Sequence, residues 1–263
     1  ADLVELAHRV HLQNQTEGQI QKCLLLSVKT GGCSEDCAYC AQSSRYKTDV
    51  ARHGLLELDK VEEAVLAAKR AGATRFCMGA AWRKPKNRND FEKILEMVRV
   101  VKAAGLEACV TLGMISLEQA IELKEAGLDV YNHNLDTSES FYPKIISTHT
   151  YQDRITTLKL AQKAHLPLCC GAILGLGESL DDRCALLTEL ALLDPQPESV
   201  PINMLIPVTG TPLEGSTPVP FDDLLKTIAV ARVLMPKAWI KLSAGRTRLS
   251  AEQHLLCFYV GAN

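Results

Sequence analysis

Cys33, Cys37 and Cys40 stand in the run Gly-Gly-Cys33-Ser-Glu-Asp-Cys37-Ala-Tyr39-Cys40, a C-x3-C-x2-C spacing with an aromatic residue just before the last cysteine. A compact loop of this kind offers three thiolates to one metal centre. A [4Fe–4S] cube has four irons and takes four thiolates when the protein supplies every ligand. Three leave one iron open to bind and act on something else. The same residues could instead join a distant fourth ligand around a structural zinc, or pack as small apolar side chains.

A second set of reactive side chains is spread along the chain. Cys77, Cys109 and Cys169 each fall in a strand-like run, and Arg246 follows the last such run. One cysteine in a strand is an ordinary core residue. Three of them with an arginine, converging on one interior, could hold a second iron–sulfur cluster. The run Tyr131-Asn-His-Asn-Leu-Asp-Thr137 is dense in hydrogen-bonding groups. Period-two geometry puts Asn132, Asn134 and Asp136 on one face and His133 on the other. Amides and a carboxylate on one face suit a ribose or an amide-like ligand, or else a polar network closing a barrel mouth. His133 reads as a hydrogen-bonded packing residue. Gly171, Gly175 and Gly177 space a strand exit where a ligand can approach the backbone. The phosphate-loop patterns G-x-x-x-x-G-K-[ST] and G-x-G-x-x-G do not occur, so nucleotide phosphate binding is not implied.

The elements that must position these residues alternate. Strand-like runs are expected at Leu24–Lys29, Thr74–Ala81, Glu107–Leu112, Val130–Leu135, Leu166–Leu174, Ser199–Leu205 and Trp239–Leu242. Helical periodicity falls between and after them, at Asp59–Ala71 with Asp59 as N-cap, Asp90–Ala104, Ser116–Ala126, Tyr151–Ala164, Asp181–Leu193, Phe221–Leu234 and Ser250–Phe258. Ser116 followed by Gln119 is a capping-box start. Repeated βα units with short connections give a parallel sheet covered by helices. Seven of them in 263 residues favour a single-domain (β/α)8 TIM barrel over an open doubly wound sheet. Residues 1–22 read as an N-terminal extension, and the C-terminal end reads as truncated. In such a barrel the site lies at the C-terminal strand ends, where the unusual residues gather.

Composition narrows the function. A net charge of −2 gives no electrostatic case for nucleic acid or a membrane surface. No apolar run approaches the roughly 20 residues that span a bilayer, and no secretory signal is visible. Ten cysteines without secretion signals point to metal rather than a disulfide framework. Cys23, Cys170, Cys184 and Cys257 acquire no role and read as core or surface.

Taken together, the chain resembles the biotin synthase family of radical S-adenosylmethionine (SAM) enzymes over essentially its whole length. The likeness is carried by CSEDCAYCAQ at 33–42, FCMGAAW at 76–82, LEACVTLG at 106–113, YNHNLDTS at 131–138, TYQDR at 150–154, ESVPINML at 198–205 and LSAGR at 242–246. Gly171, Ile173, Gly175 and Glu178 also fit the broader radical SAM pattern GxIxGxxE. The resemblance implies that Cys33, Cys37 and Cys40 ligate a [4Fe–4S] cluster whose open iron holds SAM. It implies that Cys77, Cys109, Cys169 and Arg246 ligate a [2Fe–2S] cluster, that Tyr39, Gly79, Asp136, Arg154 and Ile173 contact SAM, and that Asn132, Asn134 and Asn203 contact dethiobiotin. The implied reaction inserts cluster sulfur at C6 and C9 of dethiobiotin, with hydrogen removed by the 5′-deoxyadenosyl radical. A flavodoxin or ferredoxin electron donor, a homodimer, and a cytoplasmic location (mitochondrial in a eukaryote) are implied in the same way. Two departures are Ala41, where many relatives carry Pro, and His149, where Arg is common.

Overall fold

Strands and helices alternate along the computed structural model, which describes residues 2–16 and 18–263. β1 (Cys23–Lys29), β2 (Arg75–Ala80), β3 (Glu107–Thr111), β4 (Val130–Asn132), β5 (Leu168–Cys169), β6 (Ala172–Leu174), β7 (Ser199–Met204) and β8 (Trp239–Leu242) form one sheet. Every pairing is parallel. The α-helices are α1 (Asp2–Asn14), α2 (Leu58–Arg70), α3 (Arg88–Ala103), α4 (Leu117–Glu125), α5 (Tyr151–Lys163), α6 (Leu180–Leu192), α7 (Phe221–Leu234) and α8 (Ala251–Val260).

The alternation of side chains along each strand separates two interiors. Phe76 and Met78 of β2, with Ala108 and Val110 of β3, are buried in the large core that also holds Ile94, Val98 and Val101 of α3. The residues between them, Cys77 and Cys109, face the other way and pack with Val130 and Cys169 in a small separate cluster. Period two therefore sends alkyl groups under the helices and thiols to the inside.

The sheet curls until distant strands meet across this inside. Arg75 of β2 is 1% exposed. It lies 2.8 Å from Glu107 of β3 and 2.8 Å from Glu198 just before β7, and donates to Ser199 Oγ at 3.2 Å. Lys241 of β8 places Nζ 3.2 Å from the Cys23 sulfur of β1. Among the described residues β8 pairs only with β7 and β1 only with β2, so side chains, not a backbone ladder, span the last gap of this barrel-like sheet.

Three local differences from the sequence reading have physical causes. The strand expected at Leu166–Leu174 is broken into β5 and β6 at Cys170–Gly171, where β7 crowds the backbone; a Cβ at Gly171 would lie 2.0 Å from the Pro201 carbonyl oxygen. Helix α3 starts earlier than Asp90, because the Asn87 side chain accepts from the Asp90 N–H and caps it. Asp59 is not the cap of α2, which begins at Leu58. The capping box at Ser116 and Gln119 forms as expected, and Thr150 with Asp153, Ser179 with Asp182 and Ser250 with Gln253 repeat it. Within the N-terminal segment Asp2–Asn14 form a helix, an element the sequence reading did not assign. This helix, α1, lies against α7 and α8, with His8 stacked on Tyr259 at 3.8 Å between ring centroids.

Candidate active site

The C-terminal strand ends open into a cavity of about 350 Å³. Its walls carry Cys33, Cys37, Tyr39 and Cys40 from the loop after β1, Gly79 from β2, and Asn132, Asn134 and Asp136 from the end of β4. Arg154 of α5, Ile173 of β6 and Asn203 of β7 complete it. All residues of the SAM and substrate sets are thus brought to one space.

The cysteine loop is folded back on itself by Cys33 N donating to the Gln42 carbonyl at 3.0 Å and Ser44 N to the Cys33 carbonyl at 2.7 Å. Burial pushes all three thiols up, Cys37 to about 12. Backbone N–H groups work against burial at Cys33, from Glu35, and at Cys40, from Gln42 and Ser43. These thiols need a bound cation to give up their protons.

A continuous polar chain ties the loop to the opposite wall. Glu35, inside the loop, hydrogen-bonds His149 Nδ1. His149 Nε2 meets the Tyr142 hydroxyl at 2.8 Å, and Arg154 Nε donates to the same hydroxyl at 2.5 Å. Arg154 then donates to the Asn134 carbonyl at 2.5 Å and pairs with Asp136 Oδ2 at 3.0 Å. Tyr39, back in the cysteine loop, donates to that same Oδ2 at 2.6 Å. Asp136 adopts φ +68, a left-handed conformation costing roughly 1–3 kcal/mol in a non-glycine residue. Bonds from Asp136 N to the Gly171 carbonyl and from Ile173 N to the Asp136 carbonyl hold it there. Sequence reading missed Glu35, Tyr142 and the part played by His149, since nothing in their spacing relates them.

The strand-end motif departs from strict alternation. β4 ends at Asn132, so His133 also reaches the cavity wall instead of facing away. Its imidazole is driven well down by burial and then by Arg154, and is neutral, with Nε2 buried and unpaired among the described residues. Asn134 Oδ1 accepts from Gly171 N at 3.1 Å. Asn203 bridges the Ala172 carbonyl, at 2.9 Å, and the Ala244 N–H, at 3.2 Å.

Below this cavity lie the strand thiols. Cys77 and Cys109 are register partners on β2 and β3, and Asn132 is paired with Cys169 across β4 and β5. Asn132 Nδ2 donates to the Cys169 sulfur at 3.1 Å while its Oδ1 accepts from Thr111 at 2.9 Å. This amide is the floor between the two thiol sets. Cys169 is drawn down to about 7, chiefly by its hydrogen bond with Cys109 against the cost of burial. Among the described residues neither thiol set closes on a single-ion site, as a tetrahedral zinc would require. Arg246 is not brought to the thiols. It sits in an exposed 3-10 turn after β8, with Nη1 3.4 Å from the Ser243 carbonyl, because this turn carries its side chain outward.

Residues 27–190 match the Radical SAM superfamily and residues 201–263 the Biotin and Thiamin Synthesis associated domain. Biotin synthase of Sorangium cellulosum is 56% identical over 262 residues, covering 100% of this chain and 75% of the relative. That of Myxococcus xanthus is 53% identical, covering 100% and 76%. The chain belongs to the biotin synthase family of radical SAM enzymes. Its fold is shared with methylornithine synthase (PylB), at TM-score 0.82 and 21% identity over 100% of this chain and 75% of that one. The [FeFe]-hydrogenase maturase HydG aligns at TM-score 0.85 and 18% identity over 99% and 59%. Radical SAM enzymes of this family use a [4Fe–4S] cluster and SAM, and a [2Fe–2S] cluster is typical of biotin synthases. The residues present fit these groups: three thiols, Cys37 buried and Cys33 and Cys40 half-buried, line the cavity, and a row of thiols lies under its floor. No helix of the described residues is long and apolar enough to cross a membrane.

Proposed function

We propose that this chain converts dethiobiotin to biotin by inserting one sulfur between C6 and C9, within a single barrel domain spanning 1–263. The observation that carries the reading is one thiol set on the cavity wall and a second beneath its floor, with the Asn132 amide lining the cavity and donating to the Cys169 sulfur. When bound, the two clusters and SAM supply a radical able to take hydrogen from an unactivated C–H bond, and a sulfide to replace it.

The protein's share is placement. Cys33, Cys37 and Cys40 would hold the [4Fe–4S] cluster, and Cys77, Cys109 and Cys169 the sulfur donor. Tyr39, Gly79, Asp136, Arg154 and Ile173 would line the SAM site. Here Arg154 acts by fixing Asp136 and the Asn134 carbonyl, since its guanidinium is already bonded to both. Asn132, Asn134 and Asn203 would face the ureido ring and carbon chain of dethiobiotin. A substrate held there would lie between radical source and sulfur, in a space whose buried walls limit water. An outside reductant such as a flavodoxin or ferredoxin, a homodimeric assembly and a cytoplasmic setting complete the proposal.

The test is anaerobic turnover with dethiobiotin, SAM and a reductant. Cys37→Ala should lose 5′-deoxyadenosine formation together with biotin. Cys109→Ala should lose biotin while the SAM cluster still reconstitutes. Biotin formation by Cys109→Ala at the parent rate would place the sulfur source elsewhere.

A further inference from the structure

Cys23 is the first residue of β1 and has no role in the sequence reading. In the structure its thiol begins a row of four that crosses neighbouring strands. Cys77, Cys109 and Cys169 pack together on β2, β3 and β5, and Cys23 stands on the same face of β1 as Leu25, the register partner of Cys77. Cys23 also points its S–H toward Gln21 Oε1 at 3.7 Å. On its other side lies Lys241 of β8, 9% exposed, with Nζ 3.2 Å from the Cys23 sulfur. Pairing of β8 with β7 in register Pro201 to Lys241 and Ile202 to Leu242 fixes which side chain of β8 turns inward, and it is Lys241. Arg246 lies beyond that strand and is exposed.

Ligand count and charge then favour one arrangement. A [2Fe–2S] cluster held by thiolates takes four of them, two to each iron. The row supplies four. Four thiolates leave such a centre anionic, and an anionic centre in a buried setting needs nearby positive charge. Lys241 at one end of the row supplies it. Arg75, whose charge is also felt by Cys109, is already paired with Glu107 and Glu198, which leaves Lys241 as the counter-charge. An ammonium is a compact donor suited to a sulfur acceptor, and it needs no loss of its proton to serve in this way.

We propose that Cys23 is the fourth ligand of the auxiliary cluster, that Lys241 is a positioning residue whose ammonium hydrogen-bonds and neutralises the Cys23 side of that centre, and that Arg246 does not touch iron. The proposal rests on the two-cluster reading above.

The test uses the chain with Cys33→Ala, Cys37→Ala and Cys40→Ala, so that only the auxiliary cluster can load. It is reconstituted anaerobically with ferrous iron and sulfide, alkylated with iodoacetamide and mapped by mass spectrometry. Cys23, Cys77, Cys109 and Cys169 should all be protected at least tenfold relative to the apoprotein. Adding Cys23→Ser should shift the visible absorption and electron paramagnetic resonance of the cluster, Lys241→Met should shift its reduction potential, and Arg246→Met should leave both as they were. The footprint needs no change at Cys23, so it decides the matter even if that variant folds poorly. A loaded cluster that leaves Cys23 alkylated at the apoprotein rate overturns this proposal alone. A triple variant that retains no iron and sulfide overturns the donor-cluster reading and this proposal with it.

Discussion

The Tyr39 hydroxyl donates to Asp136 Oδ2 at 2.6 Å, joining two residues 97 positions apart. Tyr39 belongs to the cysteine loop and Asp136 to the end of β4, so the loop cannot shift without disturbing the strand end. Burial, then the Asp136 charge, pushes the Tyr39 phenol well above its usual range, which keeps it a proton donor. Arg154 reaches the same carboxylate oxygen at 3.0 Å. Loop, strand end and α5 therefore share one oxygen atom.

Asp136→Asn should strip Arg154 of its only ion pair among the described residues while both groups remain buried. Leaving one partner of a buried pair uncompensated costs about 3–5 kcal/mol. Urea unfolding of the apoprotein should show that loss. Tyr39→Phe removes a single hydrogen bond to a charged group and should cost about 1.5–3 kcal/mol. Equal losses from the two substitutions would show that Arg154 is not held by Asp136.

His149→Phe should cut the polar chain between Glu35 in the cysteine loop and Tyr142 beside Arg154. The ring is retained, so packing changes little. The Glu35 carboxylate keeps Thr148 and Arg83, and the Tyr142 hydroxyl keeps Arg154, so each lost hydrogen bond costs about 0.5–1.5 kcal/mol. The expected outcome is a normal far-ultraviolet dichroism spectrum with a lower yield of reconstituted [4Fe–4S] cluster. Full cluster occupancy in His149→Phe would show that the loop is shaped without this link.

Much of this site is legible in the sequence because its signals are local. Cys33, Cys37 and Cys40 are close in the chain, and the inward turn of Cys77 and Cys109 follows from alternation along their strands. The strand and helix order is readable for the same reason, as α7 and β8 show, with the expected and observed bounds agreeing. What was not legible depends on contacts between remote residues. Lys241 becomes a neighbour of Cys23 only when the sheet curls. Glu35 and His149 meet only once the loop has folded over the segment before α5. Helix α1 carries Leu3, Val4 and Ala7 at helical spacing, a signal that was there to read. The early end of β4 has no local signal, because Asp136 is held in its left-handed conformation by bonds to Gly171 and Ile173.

Gly171 separates β5 from β6, where its missing side chain lets the Pro201 carbonyl approach. Gly171→Ala would set a Cβ 2.0 Å from that oxygen and 2.8 Å from the Pro201 carbonyl carbon. Both atoms are backbone in the sheet, so neither can swing aside as a flexible side chain would. Overpacking of this kind costs typically about 1–3 kcal/mol. The shift would also pull on Asp136 and Asn134, which bond the Gly171 backbone. Thermal unfolding should fall by several degrees, and an unchanged midpoint would show that β7 relaxes freely there.

The last prediction concerns pH and lies away from the cavity. His11 of α1 is pulled from 6.5 down to about 4 by burial, then by the charges of Arg232 and His8, and its Nδ1 is buried without a partner among the described residues. A base whose pKa is lower in the folded state binds fewer protons there than when unfolded. Stability from this group is therefore complete above pH 6.5 and drains away as pH falls toward 4. One pH unit inside that window is worth at most about 1.4 kcal/mol for one proton, less where solvent reaches the ring. The apoprotein should melt several degrees lower at about pH 5 than at about pH 7.5, by the usual scaling of melting temperature with free energy. His11→Leu removes the titrating group and keeps the apolar contact, so it should narrow that gap. A gap of the same size in the variant would assign the acid sensitivity to other groups.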